Sequence, residues 1–149
     1  MIRTRDAEGV KMTSADTNTI NQEITVLCVD SDEAMRAALE QAIERVRLPL
    51  RLAGQAKAAT DAIDLSLRLQ PDIVVLDLEM PSLTDAPLGR QLQGLLDRNP
   101  LFICVAGNPS FKHARLAVQM GAVDLLAKPF ATEELDQALQ KAVSTLRCI

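Results

Sequence analysis

The residues predict an α/β domain built on a parallel sheet, and three observations carry that prediction. The run Ile73-Val74-Val75-Leu76-Asp77, bounded by Pro71-Asp72 and Met80-Pro81, is apolar up to its last residue. A strand covered by helices on both faces of a parallel sheet has this pattern. Two other strand endings match it: Asp30 closes Ile24-Thr25-Val26-Leu27-Cys28-Val29-Asp30, and Lys128-Pro129 follows Val123-Asp124-Leu125-Leu126-Ala127. Between the strands the apolar residues change to helical spacing, so strands and helices alternate. Open sheets of this class place their chemistry at the carboxyl ends of the strands. Two acids and one lysine meeting there would make a site for a divalent cation and a phosphoryl group.

The elements follow in order. Residues 1–23 are polar and without apolar periodicity, and read as a flexible arm before a domain over residues 24–149. A purine-rich coding stretch can underlie Glu8-Gly9-Val10, which makes Met12 a candidate for the natural start. After the first strand, Asp32 and Glu33 fall in the first turn of a helix, where negative charge favours the dipole. Met35, Leu39, Ala42, Ile43 and Val46 form its buried stripe. Pro49 separates that helix from a short edge strand around Leu50 to Gly54. Thr60 is placed to cap a second helix, which runs to about Leu69 with Ala62, Leu65 and Leu69 on one face. The Asp77 strand comes next, then a loop, then a helix over about Pro87 to Asp97 with proline in its first turn. The fourth strand, Leu101 to Ala106, is broken by Gly107-Asn108-Pro109. A helix from about Ser110 to Met120 stops at Gly121. Ala122 to Ala127 is the fifth strand. Thr132 then caps a last helix with the stripe Leu135, Ala138, Leu139, Ala142, Val143 and Leu146.

Composition agrees with one domain. A chain of 149 residues with 48% apolar content has enough material for a single core. The formal net charge of -4, with no basic cluster, argues against direct nucleic-acid binding. No apolar run approaches the roughly 20 residues of a membrane span. The first residues have no apolar segment of the secretory kind, and a cytoplasmic location is expected. Cys28 and Cys104 lie inside apolar strands as small core residues, and Cys148 is near the end. Nothing in the cysteine and histidine spacing suggests zinc. His113, the single histidine, reads as an exposed helix residue rather than a ligand.

Four pieces of the chain, in this order and spacing, resemble the receiver domain of bacterial response regulators. They are Val29-Asp30-Ser31-Asp32-Glu33, Pro71 through Pro81, Met120-Gly121-Ala122-Val123-Asp124, and Lys128-Pro129-Phe130. Within that family, Ser110 through Arg115 followed by Gly121 through Asp124 looks most like receivers that precede AraC-type DNA-binding domains. The resemblance implies a flavodoxin-like doubly wound sheet of five parallel strands in the order 2-1-3-4-5, with five helices. It implies a phosphoacceptor in two-component signal transduction rather than an enzyme, with Asp77 taking a phosphoryl group from a histidine kinase. It also implies Mg²⁺, held by Asp30, Asp77 and the main-chain carbonyl of Glu79, which offsets the repulsion between a carboxylate and a phosphoryl dianion. Lys128 would balance charge on the phosphoryl oxygens. A cis bond is expected between Lys128 and Pro129. A homodimer or partner contact through the fourth helix, fifth strand and fifth helix would carry the signal.

The sequence departs from the family's pattern at the switch positions. Ser31 stands where a second metal-binding acid is usual, and Asp32 lies one residue too far along. Ala106 replaces the Thr or Ser that ends the fourth strand, and Leu125 replaces the usual Tyr or Phe of the fifth. Asp85 stands at a loop position where Gly is usual. Weaker Mg²⁺ binding is therefore expected. The departures also favour an alternative, a divergent receiver acting as a phosphorylation-independent interaction or dimerisation module. A further alternative, a phosphatase of the haloacid-dehalogenase type, fits Asp30-Ser31-Asp32. It also needs a second acidic pair after a later strand, and Val105-Ala106-Gly107-Asn108 offers none.

Overall fold

The computed structural model describes residues 22–148. The arm expected over residues 1–23 falls, apart from Gln22 and Glu23, outside the described residues, and so does Met12. The strands are β1 (Ile24–Val29), β2 (Leu50–Ala56), β3 (Ile73–Asp77), β4 (Leu101–Ala106) and β5 (Asp124–Ala127). The helices are α1 (Glu33–Val46), α2 (Ala59–Leu69), α3 (Leu88–Leu95), α4 (Phe111–Gln119) and α5 (Thr132–Arg147). All strand pairs are parallel and the order is β2-β1-β3-β4-β5. This is the flavodoxin-like doubly wound sheet that the resemblance implied.

Alternation along the strands builds two cores. One face of the sheet presents Val26, Cys28, Ile73, Val75, Ile103, Val105 and Leu126 to α1 and α5. The other presents Leu27, Val29, Val74, Leu76, Phe102 and Cys104 to α2, α3 and α4. Because β1, β3 and β4 are covered on both sides, they lack the polar alternation of a one-sided sheet. Each fully buried Leu or Ile contributes about 1.5–3 kcal/mol to this arrangement. On the second face α3 lies close to the sheet. A Cβ added at Gly89 would collide with the Met120 side chain and sit 3.0 Å from Leu76 Cδ2.

Helix starts differ from expectation in three places. Thr60 does not cap α2, which begins one residue earlier at Ala59 behind Ala58, with no side-chain cap. Thr132 is the first residue of α5 rather than its cap, and the Glu134 carboxylate accepts from the Ala131 amide instead. Pro87 flanks α3 as its cap residue, and that helix ends at Leu95. Asp32 is the cap of α1, its Oδ1 accepting from the Ala34 amide at 3.0 Å. The edge strand β2 runs on to Ala56, because the Asp30 amide donates to the Ala56 carbonyl at 3.0 Å. It carries an extra residue opposite Val26 and Leu27. β5 begins at Asp124 rather than Ala122. Gly121, with φ +70°, closes the C-terminal turn of α4, a conformation that suits glycine.

Candidate phosphoacceptor site

Three strands bring the predicted charged residues to one mouth. Asp30 follows β1, Asp77 ends β3, and Lys128 follows β5. The Lys128 ammonium bridges the two acids, with Nζ 2.6 Å from Asp30 Oδ2 and 3.5 Å from Asp77 Oδ2. The register fixes this convergence. β1 and β3 pair at Val29 and Leu76, β3 and β4 at Asp77 and Val105, and β4 and β5 at Ala106 and Ala127. The Lys128 amide then donates to the Ala106 carbonyl at 2.8 Å, which continues the ladder past the end of β5. The Lys128–Pro129 bond is cis, as expected.

The two acids sit differently. The Asp30 side chain is 1% exposed and receives the Asp32 amide on Oδ1 at 2.9 Å, while Lys128 holds Oδ2. Gln55, on β2, donates to the Asp30 main-chain carbonyl at 3.4 Å and receives Arg36 at 3.5 Å. Asp30 is thus held from three sides. Asp77 is 12% exposed and reachable, with its Oδ1 accepting from the Glu79 amide at 2.8 Å. Partial desolvation pushes its carboxyl above the ordinary range, against the pull of the Glu79 amide and of Lys128. Burial alone would lower Lys128, but the hydrogen bond and charge of Asp30, with the charge of Asp77, hold it above its usual value. The lysine is therefore a fixed cation.

The remaining predicted residues divide. The Glu79 side chain turns toward β4, and its Oε1 accepts from the Gly107 amide at 2.6 Å. Ser31 is exposed beside Asp30 and brings no carboxylate. Asp32 is spent on capping α1, and Glu33 pairs with Lys57 at 2.7 Å, so both are helix-start charges. Ala106 is buried at the end of β4, and Leu125 is half-buried in the cluster under α4. His113 is half-buried rather than exposed. Its Nδ1 accepts from the Ser110 amide while Ser110 Oγ accepts from the His113 amide, so it helps cap α4. Cys28 and Cys104 are buried and their thiols are pushed up to about 12, chiefly by desolvation, which keeps them protonated and inert.

Among the described residues no three His, Cys, Asp or Glu side chains form a metal-binding group. The donors that do meet are hard oxygens. Each carboxylate oxygen has two lone pairs, so Asp30 and Asp77 keep acceptor capacity beyond the partners just named. Two carboxylates suit a cation that retains most of its water, as magnesium does.

Comparison with known proteins decides the family. Residues 26–140 match the model of the response regulator receiver domain. The chain belongs to the response regulator receiver family. It is 35% identical over 112 residues to the response regulator MprA of Mycobacterium sp. (strain KMS), a match covering 75% of this chain and 47% of that protein. It is 33% identical over 114 residues to the protein-glutamate methylesterase/protein-glutamine glutaminase of Treponema pallidum, covering 74% of this chain and 28% of that protein. The chain thus spans about half the length of MprA. The receiver domain of AraT, a response regulator from Geobacillus stearothermophilus, superposes with a TM-score of 0.73 at 24% identity, over 83% of this chain and 95% of that one. The response regulator domain of Thermotoga maritima CheB gives 0.68 at 25% identity, over 85% and 98%. This receiver is a signalling domain of the two-component kind. No helix among its described residues is long and apolar enough to cross a membrane.

Two parts of the site were not anticipated, the Gln55 brace and the contact of the Glu79 carboxylate with Gly107. Gln55 had a signal, being a polar side chain near the end of an edge strand otherwise spent on packing. The Glu79 contact had none, because it joins loops 28 positions apart.

Proposed function

We propose that Asp77 of this receiver accepts a phosphoryl group from the phosphohistidine of a histidine kinase. The observation that carries the reading is the Lys128 bridge between a buried acid and a reachable one. A fixed cation beside a half-open carboxylate is what a phosphoryl group needs on arrival. An Asp77 carboxylate oxygen forms the new O–P bond as the P–N bond of the phosphohistidine breaks, and the imidazole nitrogen keeps the electron pair. Lys128 then pairs with the phosphoryl oxygens, and Asp30 holds the lysine in place. Asp30, Asp77 and the Glu79 main-chain carbonyl would hold Mg²⁺, which supplies charge neutralisation between carboxylate and phosphoryl oxygens. With Ser31 in place of an acid, that site is one formal charge poorer and correspondingly weak.

In this reading the domain signals by contact rather than by catalysis. Phe111 and Val118, 83% and 80% exposed on α4, mark the face of α4, β5 and α5 as the contact surface for a homodimer or a target. The buried methyl of Ala106 and the half-buried Leu125 favour a second reading, in which this face works with little dependence on phosphorylation. The test is radiolabel transfer from a histidine kinase or a small phosphodonor. The parent should label, and Asp77→Asn should abolish the label while its circular dichroism is unchanged. Label that survives in the Asn variant would assign the chemistry elsewhere.

A further inference from the structure

Three donors line the mouth around Asp77, and the chain's own carboxylates occupy all three. The Lys128 ammonium lies against Asp30 and Asp77. The Glu79 amide donates to Asp77 at 2.8 Å. The Gly107 amide, just past the end of β4, donates to Glu79 Oε1 at 2.6 Å. β4 and β3 are in register at Val105 and Asp77, and the Leu78 amide donates to the Val105 carbonyl at 2.9 Å. Gly107 therefore stands beside the acceptor, at the height where oxygens carried by Asp77 would lie. The Glu79 contact fills this space closely, since a Cβ added at Gly107 would come within 3.1 Å of Glu79 Oε1.

We propose that the Glu79 carboxylate is a built-in occupant of the anion seat at Gly107, which an incoming phosphoryl group must displace. The inference rests on the reading of Asp77 as acceptor and adds a brake to it. Of the three occupied donors, Gly107 is the one that can be freed at least cost. Asp30 is buried and Asp77 is fixed on its strand, whereas Glu79 is exposed on a flexible stem. A charge-assisted hydrogen bond outlasts a neutral one, so the seat is blocked at rest. Glu79 acts here as a positioning residue, setting how readily the site loads.

Side-chain length separates this device from simple repulsion. Glu79→Asp keeps the charge but pulls the carboxylate back by one methylene, out of reach of Gly107. Glu79→Gln keeps the reach and removes the charge. With acetyl phosphate and Mg²⁺, Glu79→Ala and Glu79→Asp should label Asp77 about tenfold faster than the parent, or about 1.4 kcal/mol, with Glu79→Gln between. Labelling of the Ala and Asp variants at the parent's rate, or acceleration in Glu79→Gln alone, would overturn the proposal. A second measurement needs no covalent step. Inorganic phosphate with Mg²⁺ should shift the Gly107 amide resonance saturably in Glu79→Ala and far less in the parent. An unmoved Gly107 in that variant overturns the inference whatever the labelling shows. A responsive Gly107 with no labelling of any variant would instead sink the acceptor reading and leave the seat standing.

Discussion

The acid–lysine mouth and the β4–β5 edge beside it lie a few residues apart on the same sheet, yet they differ in what they can do. The mouth has a buried acid, a reachable acid and a lysine drawn between them at 2.6 and 3.5 Å. The edge has the buried methyl of Ala106 and the half-buried branched side chain of Leu125, neither with a donor to offer. Next to that edge α4 is tethered from the other side. Gln93 of α3 donates to the Met120 carbonyl at 2.8 Å, and Arg90 to the Gln119 carbonyl at 3.1 Å. Receiving a phosphoryl group and reporting it are separable physical tasks. A ligand shifts two states only by its differential interaction with them. The mouth supplies an interaction, and the edge supplies little to distinguish states.

The largest expected effect breaks the mouth. Lys128→Ala leaves Asp30 as an unpaired charge in a nearly closed site and should cost about 3 kcal/mol in urea unfolding, the lower end for a broken buried pair. Asp30→Asn in the same chain should recover much of that loss. A Lys128→Ala protein as stable as the parent would show that the bridge is decorative. The bridge also sets an alkaline limit. Lys128 is held above its unfolded pKa by Asp30 and Asp77. Its contribution is therefore complete below about pH 10.5 and is lost as pH rises through the folded value.

A smaller effect sharpens the metal side. Ser31→Asp adds a carboxylate next to Asp30 and should tighten Mg²⁺ by about tenfold in isothermal titration, a change of about 1.4 kcal/mol. No gain would place Ser31 outside the coordination shell. Smaller again is the cost of keeping Asp77 ionised. Its folded pKa is raised, chiefly by desolvation, so ionisation destabilises the fold at neutral pH. Asp77→Asn should therefore stabilise the fold slightly in urea unfolding at neutral pH, since the amide has no charge to desolvate. That advantage should shrink as pH falls through the carboxylate range and Asp77 takes up its own proton. The most local effect concerns the tether. Gln93→Leu leaves the buried Met120 carbonyl without this partner and should cost about 1 kcal/mol, with faster amide exchange confined to α4.

Most of the scaffold was legible because its strands are simple to read. β1, β3 and β4 are apolar runs closed by an acid or by Gly107, and their helices carry stripes at the expected spacing. Asp30, Asp77 and Lys128 were legible for the same reason, as charges at the ends of apolar strands. Helix caps expected at Thr60 and Thr132 lie two residues and one residue earlier, at Ala58 and Ala131, since a threonine satisfies a cap position or a first turn equally well in sequence. The extension of β2 to Ala56 was hidden because the Asp30 amide, from another strand, supports it. The Glu79–Gly107, Gln55–Asp30 and Gln93–Met120 contacts join residues far apart in the chain, and no local pattern encodes them.

One measurement tests the separation of receiving from reporting most directly: amide resonances of the parent with and without beryllofluoride and Mg²⁺. The account predicts shifts at Asp30 to Asp32, Asp77 to Glu79, Gly107 and Lys128, with α4 and β5 nearly still and the sedimentation coefficient unchanged. Large shifts throughout residues 110–127 with new dimer would contradict it and restore an ordinary switch. A spectrum unchanged everywhere would contradict it from the other side, by removing the acceptor.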